Sequence, residues 1–141
     1  MRITPLRRAL VALAVAIGSL GVVVGSASPA EAATPCVQKL YRYGARGDCV
    51  RYIQALANYH RAGGPIIAVD GVWGSKTDAS IRHIQRTWAV LKVDGIVGRQ
   101  TWGVLCAPAM GDDRYPGRVP SWFPLWAARG AGCPGADGWY Q

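Results

Sequence analysis

Beyond residue 32 the chain carries few groups able to make or break a bond. It has no glutamate there, seven aspartates, two histidines (His60 and His83) and four cysteines. Cleaving a glycan needs two carboxyl groups set across the scissile bond, whereas Asp112 and Asp113 are chain neighbours, an arrangement in which side chains usually diverge. A zinc site needs spaced His, Cys or acidic ligands. No C-x-x-C pair exists, and both histidines lie far from every cysteine. Four cysteines in an exported chain read as two disulfides with three possible pairings, which leaves no thiolate nucleophile. Neither an enzyme, a metal nor a cofactor is expected, and the chemistry left is recognition. Gln54 and Gln85 each offer a donor and an acceptor, suited equally to a ligand amide or to bracing nearby loops. Arg51 and Arg82 present forked donors for carboxylates, although a solvated face explains them better. Trp73 belongs to a loop tip, where contact with a ligand is the better reading. Trp88 and Trp102 fall on apolar stripes and are expected to pack, while His60 and His83 are expected at the surface or a groove edge.

These groups need a compartment and a scaffold. Arg2, Arg7 and Arg8 precede an uncharged apolar run from Ala9 to Val24, and Ala30-Glu31-Ala32 supplies small residues for cleavage. Residues 1–32 therefore read as a secretory signal, since the run of 16 is shorter than the roughly 20 that a spanning helix needs. The full chain carries +8, and beyond residue 32 thirteen basic residues face seven acidic ones, a net +6. Such a balance suits an anionic polymer or surface, but the basic residues are scattered rather than clustered, which argues against nucleic acid.

Three helices are predicted. Val50, Ile53, Leu56 and Ala57 share one face of the first, with Asp48 as its candidate N-cap. Ile81, Ile84, Trp88 and Leu91 form one stripe on a second helix running from about Lys76 to Leu91. A third, about Arg99 to Cys106, buries Trp102 and Leu105. Residues 33–45 read as a leader, 46–106 as the domain, and 107–141 as an irregular Pro/Gly/aromatic tail containing Tyr115, Trp122, Phe123, Trp126 and Trp139.

Two repeats organise the domain. V-D-G-V-W-G-S-K-T at 69–77 and V-D-G-I-V-G-R-Q-T at 93–101 match at a constant offset of 24, and R-x-I-Q occurs at 51–54 and 82–85. In each loop the aspartate (Asp70, Asp94) is expected to bond nearby backbone N–H groups. The first glycine (Gly71, Gly95) takes positive φ, and the second (Gly74, Gly98) allows a tight entry into the next helix. Thr77 and Thr101 then sit where a hydroxyl can accept an unpaired N–H. One carboxylate per loop falls well short of the six to eight oxygens calcium prefers, so these aspartates are read as structural.

An I-Q-x-L helix, a D-G-x-x-G-x-x-T loop, a second helix with I-Q, and then V-D-G-I-V-G-x-x-T-W-x-x-L together resemble the peptidoglycan-binding-like domain family, over about Arg46 to Cys106. The resemblance implies an all-α three-helix bundle with a shallow binding groove, stapled here by disulfides. It further implies a secreted, non-catalytic module whose partner is cell-wall peptidoglycan or its stem peptides, with no nucleic acid and no stable membrane anchor. Gln54, Gln85 and Trp73, with Arg82, become the implied ligand contacts. Secreted members with cysteines at the start of the first helix and the end of the third suggest pairing Cys49 with Cys106, which leaves Cys36 with Cys133. The rival is a secreted inhibitor or protein-interaction module that uses the tail aromatics as its contact patch; a very small wall hydrolase ranks below it.

Overall fold

A computed structural model describes residues 33–108 and 117–141. The signal-peptide reading of residues 1–32 and the roles considered for Asp112, Asp113 and Tyr115 lie outside the described residues. Within them the chain is all-α, with four helices: α1 (Asp48–Tyr59), α2 (Ser75–Thr87), α3 (Arg99–Leu105) and α4 (Leu125–Ala131). Short 3-10 turns at Cys36–Gln38 and Ala136–Gly138 flank them. No helix among the described residues is long and apolar enough to cross a membrane.

The first three helices bury the faces that their periodicity marks. Val50, Ile53, Leu56 and Ala57 of α1 meet Ile81 and Ile84 of α2 and Trp102 and Leu105 of α3 in one core. The start of α1 departs from expectation, because Asp48 is its first helical residue and Gly47 is the cap, with no side-chain capping bond. Gly47 holds φ 110°, which glycine alone adopts without strain, and its carbonyl accepts from the Val50 and Arg51 N–H groups. Asp48 still places negative charge at the helix's positive end.

Helix α2 stops at Thr87, not Leu91, and Trp88 is 45% exposed rather than part of the core. The reason is geometric. Gln85 bonds Asp94, nine residues on. A continuous helix would place that residue roughly 13 Å further along its axis. The chain must instead turn back early: Trp88 N–H closes on the Ile84 carbonyl, Leu91 N–H closes on that of Trp88, and Leu91 is delivered into the interior.

The tail is more ordered than its composition suggests. Helix α4 packs chiefly on α1 and buries Ala127, Ala128 and Ala131. Gly130 lies so close to the Tyr52 ring that a Cβ there would stand 2.5 Å from it. A face made of alanine and glycine permits close helix approach, yet it leaves no stripe of large apolar residues in the sequence. Phe123, almost fully buried, sits edge-on between Tyr59 and Trp139 at 4.9 and 5.9 Å.

The disulfides are Cys36–Cys49 and Cys106–Cys133, which overturns the pairing of Cys49 with Cys106 and Cys36 with Cys133. Each bundle cysteine joins a partner outside the three-helix unit. The leader's 3-10 turn sets Cys36 against the start of α1, and the end of α4 sets Cys133 against the end of α3.

His60 is also not a surface residue. It caps α1 in the interior, and its Nε2–H donates to the Leu105 carbonyl at 3.1 Å, tying α1 to α3. Burial pushes its pKa below the usual imidazole value, against a smaller upward pull from the Leu105 bond. The unfolded chain therefore binds a proton more readily than the folded one. Stability is full above about pH 6.5 and falls as pH drops below it through the lower folded-state value. Urea midpoints between pH 7 and 5 should decline, and His60→Gln, which keeps a donor without titrating, should flatten that decline. A parallel decline in both proteins would assign it to other groups.

Candidate functional site

The two repeats build one device twice. Gln54 projects from α1 into the first loop, 1% exposed, with both ends of its amide engaged. Its Nε2 donates to Asp70 Oδ1 (2.9 Å), the Val72 carbonyl (3.1 Å) and Thr77 Oγ1 (3.1 Å). Its Oε1 accepts from the Gly71 N–H at 2.8 Å. Asp70 Oδ1 also takes the Val72 N–H, closing the expected turn. Gln85 repeats the arrangement from α2. It donates to Asp94, the Ile96 carbonyl and Thr101 Oγ1, and it accepts from the Gly95 and Asp94 N–H groups. Asp94 closes its own turn on the Ile96 N–H. The arginine of R-x-I-Q completes each unit: a Cβ on Gly71 would strike Arg51, and one on Gly95 would strike Arg82 and Asp78. Both of these glycines hold positive φ, so no other residue fits.

Several expected roles shift accordingly. Gln54 and Gln85 are turned inward as loop braces, one of the two uses that the sequence left open. Trp73 is not at the tip but buried, 1% exposed, because Gly44 and Ala45 of the leader pair with its backbone and draw it beneath the chain. Thr77 and Thr101 meet the glutamines rather than cap an N–H. Gly74 and Gly98 have extended, negative-φ backbones, so the left-handed step belongs to the first glycine alone. Arg82 remains at the surface, its Nε donating to Asp78 at 2.8 Å and its guanidinium lying over Gly95. Composition did not single out Asn58, which holds Ile67 by both backbone groups at 2.9 Å.

The leader threads past both loops. Tyr41 exchanges two backbone hydrogen bonds with Val97, while Gly44 and Ala45 do the same with Trp73, and the Gly47 N–H reaches the Gly71 carbonyl. Beside each loop lies a shallow groove. The first, about 230 Å³, is lined by Ile67, Asp70, Val72, Lys76 and Thr77. The second, about 310 Å³, has Leu40, Lys92, Asp94, Ile96, Arg99 and Thr101. Asp70 is held ionised below the usual carboxylate range, first by the Val72 N–H and then by the Gln54 amide. Lys76 lines the first groove and Arg99 the second, adding positive charge to each.

These groups hold backbone in place and leave charged side chains along the grooves. Among the described residues, no three His, Cys, Asp or Glu side chains gather as metal ligands. No curated protein matches the chain. Residues 47–105 match the family model described as "Putative peptidoglycan binding domain", a span that contains α1, both braced loops and α3. The doubled loop and the helices it joins thus lie within the segment, residues 47–105, that is similar to the peptidoglycan-binding domain family.

Proposed function

We propose that the chain is an exported, non-catalytic module that attaches reversibly to cell-wall peptidoglycan, with residues 1–32 as its export signal. The family match across both braced loops carries this reading. Two disulfides suit an oxidising compartment outside the cytoplasm. Several of the polar side chains among the described residues are taken up by the fold itself. Asp70 and Asp94 close turns, Asp78 pairs with Arg82, His60 bonds a carbonyl, and all four cysteines are bridged. Residues 46–106 form the binding domain, 33–45 its leader and 107–141 an appended tail. Among the four contacts implied by the sequence, Arg82 keeps a direct role at the surface. Gln54, Gln85 and Trp73 contribute by holding the loop shape.

Purified sacculi provide the test. Folded, oxidised protein should sediment with them at moderate salt and release no labelled fragments from them. Protein that stays in the supernatant would remove the attachment reading, and released fragments would remove its non-catalytic half.

A further inference from the structure

The tail carries a surface that the matched family segment does not include. Trp122 is 75% exposed and Trp126 is 53% exposed, although Trp73 and Trp102 are nearly fully buried. Both exposed indoles line one open groove of about 480 Å³, with Pro124, Leu125, Arg129 and Gln141.

The groove is held stiffly. Gln141 Nε2 donates to the carbonyls of Pro120, Ser121 and Phe123, pinning the segment that carries Trp122. Arg129 donates to the Ala136 and Trp139 carbonyls, and Trp126 meets Tyr52 of α1 edge-on at 5.8 Å. Phe123 anchors the segment beneath, and Cys106–Cys133 ties α4 to the bundle. Fixing two bare indoles in this way reduces the ordering cost a ligand would otherwise meet. No carboxylate lies within ion-pair distance of Arg129 among the described residues, so its guanidinium brings positive charge to the groove.

We propose that this groove binds the glycan of the wall polymer, an amino-sugar strand bearing carboxylate groups, separately from the braced loops. A pyranose ring has an apolar C–H face that stacks on an indole and a hydroxyl rim that stays hydrated, which suits a groove open to water. Carboxylates on the appended peptides answer Arg129. A protein hot spot would instead seal its aromatics in a dry pocket. The inference rests on the wall-attachment reading but extends it to a second site and a substrate class.

The experiment uses the full-length oxidised protein and Trp122→Ala/Trp126→Ala. Sacculus affinity of the double variant should fall about tenfold or more, with Tm lowered only modestly, since Trp122 is largely exposed and Trp126 gives up one edge contact with Tyr52. Soluble disaccharide-peptides should shift tryptophan emission in the wild type and not in the variant, and should do so less when their carboxylates are amidated. Should the pair unfold the chain, Trp122→Ala alone carries the same expectations. Wild-type and variant binding sacculi equally would overturn the second site while leaving attachment intact. Loss in the variant of self-association, or of binding to phosphatidylglycerol vesicles, without any response to the sugars would overturn it too. Wild type that fails to bind sacculi would instead strike the attachment reading itself.

Discussion

Gln54→Ala should destabilise the domain by about 3–5 kcal/mol, a large share of what a domain of this size possesses. The substitution leaves a cavity in the core and orphans the Gly71 N–H, which has no other acceptor in the loop. A buried donor without a partner costs about 1–3 kcal/mol by itself. Asp70 and Thr77 lose their shared donor at the same stroke. Gln54→Glu separates shape from hydrogen bonding. It keeps the volume and the acceptor for Gly71, but sets a second carboxylate where the amide stood 2.9 Å from Asp70. Like charges at that range favour sharing a proton, so this variant should be weak at neutral pH and should recover as pH falls. Thermal melts and urea midpoints read both effects. A midpoint unchanged in Gln54→Ala, with sacculus binding lost, would return Gln54 to the role of ligand contact.

Cys106→Ser/Cys133→Ser should cost about 3–4 kcal/mol, the loop-entropy value for a separation of 27 residues. Loss of Cys36–Cys49, with a separation of 13, should cost about 3 kcal/mol. The larger effect falls on the tail, because α4 buries only alanines and one close-packed glycine against α1, beside a single Trp126–Tyr52 edge contact, and small side chains contribute little burial each. Without the bridge, α4 and the groove beside it should exchange amide protons faster than α1 and α2 do. Non-reducing peptide maps decide the connectivity directly. A fragment joining Cys49 to Cys106 would contradict the structure, and uniform exchange across all four helices would contradict the tail's dependence on its bridge.

The two bridges also divide what could be read along the chain from what could not. Helix faces are local: a residue's neighbours at three and four places decide which side is apolar, so α1, α2 and α3 were legible from Val50, Ile53, Ile81, Ile84, Trp102 and Leu105. The loops were legible for a similar reason, since an Asp-Gly turn closes on the N–H two residues away. Their repetition at a constant offset marked them as a unit before any fold was known. Trp73 was misplaced because its burial depends on the leader crossing above it, nearly thirty residues earlier in the chain. Gln54 and Gln85 were ambiguous because an amide is equally competent toward a ligand and toward a loop; only its distance to Asp70 or Asp94 decides.

Sequence alone thus determined the three amphipathic helices, the twin turns and the number of bridges, all set by short-range periodicity or by composition. Tertiary structure decided the partner of each cysteine, the end of α2, the existence of α4 and which tryptophans face water. Those outcomes depend on segments far apart in the chain meeting at one point. Residue type restricts such meetings without selecting among them, because the choice rests on the packing of the whole core.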